Sequence, residues 1–195
     1  MILCFDTETT GLVQHKLPAE HPSQPHLVQY AGILANDAGR VFGALSAIVK
    51  PPVDIPEQAS SVHGITDDLA DKLGKPLDDI LGWHESAWRG ADLIVCHNYG
   101  FDSRVMDAAI HRSGAPGLLD REAYCTMEES TGLLKLPGKY GYKWPKLEEL
   151  HKFLFGEMFS GAHDALEDVR ATLRCYLELM RREKEDTIEP ERTGT

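Results

Sequence analysis

The 195-residue chain reads as an α/β domain, a mixed five-stranded sheet flanked by helices. Three observations predict it. Apolar runs of strand length recur at Ile2–Phe5, Leu27–Ala35, Arg40–Val49, Ala91–Cys96 and Glu122–Met127, bounded by polar or turn-forming residues. The second and third are joined by Asn36-Asp37-Ala38-Gly39, whose turn chemistry pairs them as an antiparallel hairpin. Segments of helical period then separate the later strands, which is the pattern of a sheet with helices packed on it.

Ile2–Phe5 ends at Asp6, so a buried strand delivers a carboxylate at its tip. His15–His26 holds three prolines and little apolar content and reads as a surface loop. Pro56–Leu81 contains short helical pieces, with Thr66 as an N-cap and Asp67 and Asp68 in the first turn behind it. Pro76–Arg89 is a fuller helix. Phe101–Arg112 is another, ended by Ser113-Gly114. Pro145–Phe155 is helical, with Pro145 at its first position, Leu147, Leu150 and Leu154 on one face and Gly156 as the stop. The last helix carries an apolar stripe of Ala165, Val169, Leu173, Tyr176, Leu177 and Met180. The domain is expected over 1–180, with 181–195 as a polar, mobile tail.

Bulk composition narrows the function classes. The hydrophobic share of 42% and charged share of 26% are ordinary for a soluble globular domain, and no stretch approaches the ~20 apolar residues of a membrane span. A cytoplasmic location without a membrane partner is expected. Cys4, Cys96, Cys125 and Cys175 are widely spaced and read as reduced, structural thiols. The net charge of −11 disfavours a long electrostatic grip on nucleic acid. The tail does not explain that charge, because Arg181–Thr195 holds four basic and five acidic residues. The body itself is acidic, and bound cations would offset part of it.

The chemistry concentrates in three separated segments. Asp6 and Glu8 stand two apart in Phe5-Asp6-Thr7-Glu8-Thr9-Thr10-Gly11, so on extended chain both side chains point the same way. Like charges held together raise the energy unless a cation lies between them. Asp102 closes His97-Asn98-Tyr99-Gly100-Phe101-Asp102, in the first turn of its helix. His163 and Asp168 form His163-x-Ala165-x-x-Asp168. On one helix they would point about 140° apart, so they converge only if His163 lies ahead of the helix. Carboxylates from three segments plus a histidine suit a two-metal phosphodiester hydrolase. Each also has a plainer reading, as a strand end or a helix cap.

Taken together and in this order, these residues resemble the DnaQ-like family of 3′→5′ exonucleases, the DEDDh group within the ribonuclease-H-like fold. The resemblance runs from Ile2 to about Met180, and Val62-His63-Gly64-Ile65-Thr66 also matches a recurrent family segment. It implies that Asp6, Glu8, Asp102 and Asp168 bind two Mg²⁺ or Mn²⁺ ions, with Asp6 bridging them. It implies that His163 is the general base, a role suited to its ordinary pKa. Backbone around Thr7 and Thr9, with the Leu12 side chain, would hold the terminal nucleotide, helped by Asn98 and Phe101. His63 would approach that nucleotide or stabilise its own turn. Gln29 stands where family members often carry a glutamate.

The implied reaction is release of nucleoside monophosphates from single-stranded 3′ ends, of DNA first and of RNA as the alternative. A DNA polymerase or a replication or repair complex is the implied partner. A non-catalytic accessory module and a small-nucleotide phosphatase are the competing classes. One segment stays open between two readings. Lys135–Lys146 contains four lysines, Tyr140, Tyr142 and Trp144, and no acid, which suits a grip on a single strand. It equally suits a solvated loop in which Trp144 and Pro145 staple the next helix to the core.

Overall fold

The computed structural model describes residues 1–160 and 164–188. Strands β1 (Ile2–Thr9), β2 (Leu27–Ala35), β3 (Val41–Ile48), β4 (Leu93–Cys96) and β5 (Glu122–Cys125) form one sheet in the order β3-β2-β1-β4-β5. β1 runs antiparallel to β2 and β2 to β3, whereas β1–β4 and β4–β5 are parallel. The mixed, five-stranded sheet expected from the sequence is therefore present. Its hairpin turn is closed by Asn36, whose Oδ1 accepts from the amides of Ala38 (3.1 Å) and Arg40 (2.9 Å), with Gly39 at φ 77°.

Period-2 alternation along β1 sorts its side chains to two faces. Leu3 and Phe5 join Tyr30, Ile80, Ile94, Val105 and Met106 in one core, beneath α3 (Leu77–Gly90) and α4 (Tyr99–Ser113). Ile2 and Cys4 join Ala31, Ile33, Val95, Val169, Leu173 and Tyr176 in the other, beneath α7 (Ala165–Ile188). The helical stripe of α7 thus buries against the sheet face that the sequence leaves open for it. The same helix continues past position 180 to Ile188.

Short helices α1 (Glu57–His63) and α2 (Asp67–Leu73) follow β3, and Thr66 caps α2 by accepting from the Leu69 amide at 3.3 Å. Two boundaries differ from expectation. β5 stops at Cys125, because Thr126 opens helix α5 (Thr126–Leu134), whose Ser130 and Thr131 hydroxyls donate back to the carbonyls of Thr126 and Met127. Pro145 does not start a helix: α6 spans Leu147–Phe155, with Lys146 as its N-cap. Between them lies a small hairpin, β6 (Pro137–Gly138) with β7 (Gly141–Tyr142). All four cysteines are free and buried. No helix among the described residues is long and apolar enough to cross a membrane.

Candidate active site

The carboxylates meet because the alternation of β1 continues to its end. Asp6 and Glu8 share the face of Ile2 and Cys4, and that face carries α7. Cys4 Sγ contacts the Val169 carbonyl at 3.6 Å, which brings the first turn of α7 against β1. Asp6, Glu8 and Asp168 each place a carboxylate oxygen within 4.8 Å of the others'. The β1–β2 register shifts between Glu8 and Thr9, a bulge that ends regular pairing beside the site. Gln29, opposite Glu8 in that register, is buried and accepts from the Ala165 amide at 3.4 Å. It anchors the start of α7.

Thr7 faces the other way, towards α4, and there it finds Asp102. The Asp102 Oδ1 accepts from the Thr7 amide (3.1 Å) and hydroxyl (2.7 Å). Asp102 is 2% exposed, and it is delivered by a left-handed Asn98 (φ 93°) that turns the chain from β4 into α4. Asp6, Glu8, Asp102 and Asp168 all line one cavity of about 430 Å³, together with Thr7, Asn98, Phe101, Met127, Trp144, Lys146 and Phe159.

The remaining sequence-derived residues sit as follows. Thr9 is buried, its hydroxyl donating to the Gly11 carbonyl at 2.6 Å. His63 Nε2 meets the Thr9 carbonyl at 3.3 Å while its Nδ1 accepts from the Ile65 amide at 3.1 Å. That fixes the Nε2–H tautomer and ties the end of α1 to the end of β1. Leu12 is 81% exposed and does not line the cavity. His163 lies outside the described residues. Asp164, next to it in sequence, caps α7 by accepting from the Leu166 amide at 3.0 Å.

His97 is a component that the sequence presents only as a residue after a strand. Its Nε2 donates to the Pro145 carbonyl (3.1 Å) and its Nδ1 faces the Thr126 hydroxyl (2.9 Å). Burial lowers its pKa to about 4, so it is neutral and works as a latch between β4, α5 and the approach to α6. Nothing local in sequence marks this role, because its partners stand 29 and 48 residues away.

Burial and crowding both act on these carboxylates. Burial first, then Asp168, Asp102 and Asp164, push the Glu8 carboxyl up to about 8. Asp6 is raised by burial and then by Asp102, Asp168 and Glu8. Burial raises Asp102 to about 7 against the opposing hydrogen bonds from Thr7. An all-oxygen set of this kind fits hard divalent cations such as Mg²⁺ or Mn²⁺.

The sign of the linkage follows. Between pH 6.5 and 8 the folded protein without metal holds protons on Glu8 and Asp102 that the unfolded chain has lost. Its stability therefore falls as pH rises through that window. A cation needs those carboxylates ionised, so its binding releases protons and tightens with pH. The rise in melting temperature on adding Mg²⁺ is expected to be larger at pH 8 than at pH 6.5. Equal increments at both pH values, measured by differential scanning fluorimetry, would remove the cation from this cluster.

Known proteins resemble this chain in sequence and in fold. A family model described as Exonuclease (RNase_T) matches residues 3–176. An uncharacterized exonuclease, CP81, of Escherichia phage 186 is 29% identical over 175 residues, 87% of this chain and 82% of the phage protein. Exodeoxyribonuclease 10 of Escherichia coli K12 is 30% identical over 107 residues, 54% of this chain and 40% of that enzyme. The structure of E. coli exonuclease I in complex with a dT13 oligonucleotide shares the fold, with a TM-score of 0.75 at 21% identity over 96% of this chain. This chain spans 42% of that one. With the family model covering nearly its whole length, and the carboxylates of its three motifs gathered on one cavity, the chain belongs to the DnaQ-like exonuclease family.

Proposed function

We propose that this exonuclease domain removes nucleoside monophosphates from the 3′ ends of single-stranded nucleic acid, DNA in preference to RNA, with two Mg²⁺ or Mn²⁺ ions. The observation that carries the reading is the set of three mutually repelling carboxylates within 4.8 Å of one another, on a cavity that Asp102 also lines. Asp6, Glu8, Asp102 and Asp168 would hold the ions. When bound, such ions supply charge stabilisation for the scissile phosphate and its leaving oxygen.

The protein's own groups do the rest. Thr7 holds Asp102 in one orientation through two hydrogen bonds. The cavity walls at Asn98 and Phe101 confine the terminal nucleotide, which turns a bimolecular encounter into a positioned one. His163 takes the proton of the attacking water as the general base. A polymerase or repair complex as partner belongs to the same proposal and is approached by pull-down with the full chain.

Degradation of 5′-labelled single-stranded DNA and RNA of matched sequence tests the reaction, with Mg²⁺, Mn²⁺ or EDTA and an Asp168→Ala control. A metal-dependent ladder shortening from the 3′ end, faster on DNA and absent in the control, is expected. A faster ladder on RNA would replace the DNA preference. Inertness on both strands with both metals would leave the fold as an accessory module.

A further inference from the structure

The segment that the sequence leaves open, Lys135–Lys146, is neither a floppy loop nor a core staple. It is the β6–β7 hairpin, turned at Lys139-Tyr140 and returned by Gly141 at φ 132°. A two-stranded hairpin alone is marginal in water, and this one is pinned at its base. The Lys143 amide donates to the Leu136 carbonyl at 3.0 Å. The Lys143 Nζ pairs with Glu149 at 2.6 Å, and the Lys146 amide donates to the same carboxylate at 2.8 Å. His97 holds the carbonyl of Pro145, which is buried.

The staple role therefore falls to Pro145 alone. Trp144 beside it joins no core cluster and is 62% exposed, and Tyr142 and Tyr140 are 57% and 91% exposed. Three large rings set out on a fixed arm cost solvation unless they meet something. Trp144 lines the catalytic cavity, whereas Lys139 and Tyr140 at the tip do not, so the arm leads outward from the carboxylates. Lys139 keeps its ammonium 5.0 Å from the Tyr140 ring centroid, placing a cation and a stacking face at one point. Lys143 is paired with Glu149 and Lys146 lines the cavity itself, so Lys139 is the lysine at the tip of the arm placed for a phosphate behind it.

We propose that the β6–β7 hairpin is a strand-gripping arm. Trp144 stacks on the nucleotide that precedes the scissile phosphate, and Tyr142, Tyr140 and Lys139 take the nucleotides behind it. This rests on the 3′-end reading, which places the preceding nucleotides outside the cavity. It also reconciles an acidic body with a polynucleotide substrate: the grip is by rings and a single lysine rather than by a basic face.

The test separates the arm from the chemistry. Binding of 5′-fluorescein dT15 and rU15 to the full chain is measured by anisotropy, with Ca²⁺ replacing Mg²⁺. Tyr140→Ala/Tyr142→Ala and Trp144→Ala are compared with wild type, circular dichroism checking the fold. Each variant is expected to raise the Kd for dT15 about tenfold or more. Each should also lower the ratio of dT15 turnover to turnover of the 4-nitrophenyl ester of thymidine 5′-monophosphate. Asp168→Ala is expected to lose turnover and keep dT15 affinity within a few-fold. Wild-type affinity in both ring variants would overturn the arm, even with the exonuclease ladder intact. Weakened binding in the variants of a chain that degrades no strand would uphold the arm and remove the proposed reaction. A larger loss on rU15 than on dT15 would keep the arm and assign it to RNA.

Discussion

Asp6→Asn lowers turnover on single-stranded DNA by at least about 10³-fold, because several kcal/mol of cation-derived stabilisation are lost at ~1.4 kcal/mol per tenfold. The substitution keeps size and shape, so the strand that bears it should survive. Its neighbours argue for that: Cys4 is fully buried and pairs in register with Ile33, and Asp6 itself sits opposite Ala31. The substitution also removes a buried carboxyl that burial, and then Asp102, Asp168 and Glu8, hold well above the usual carboxylate range. The variant without metal should therefore melt at a higher temperature than wild type at pH 8, while the Mg²⁺-induced increment disappears. Activity and metal response thus fall while the melting temperature rises. A merely structural role for Asp6 would lower activity and stability together. A variant keeping more than a tenth of the wild-type rate would take Asp6 out of the chemistry.

The residues behind this prediction were legible in the sequence because their placement follows from local periodicity. Two carboxylates at i and i+2 on a strand must share a face, and the apolar stripe of α7 says which face of that helix meets the sheet. The β2–β3 hairpin and the mixed character of the sheet were legible for the same reason, through the turn at Asn36–Gly39 and the helix-length gaps after it. What stayed hidden depends on contacts distant in sequence. His97 reads only as a residue after a strand until Thr126 and Pro145 are brought to it. Gln29 reads as a departure from a family glutamate until its Oε1 meets the Ala165 amide across 136 residues.

Helix α5 was missed because an apolar strand runs straight into it at Cys125–Thr126, with no glycine or proline between. The hairpin arm was ambiguous because basic-aromatic composition fits both a packed staple and an exposed grip. Only the exposure of Trp144 beside a buried Pro145 separates the two.

His163→Ala is the complementary substitution, expected to lower turnover by ~10²–10⁴-fold while the Mg²⁺-induced rise in melting temperature persists. His163 and Asp168 stand five apart in sequence. Helix geometry forbids the two from pointing together when both are helical. Here the helix begins at Ala165, and Asp164 is its cap, accepting from the Leu166 and Glu167 amides at 3.0 and 3.4 Å. A general base also leaves a mark that a metal ligand does not. With Mg²⁺ saturating at every pH, the wild-type rate should rise with pH as the base loses its proton. In His163→Ala that limb should flatten, and the remaining slow rate should follow hydroxide instead. Retention of more than about a third of the wild-type rate, or an unchanged acidic limb, would move the base to another group. Loss of the metal-induced melting increment would instead make His163 a ligand, so rate and melting temperature together decide between the two roles.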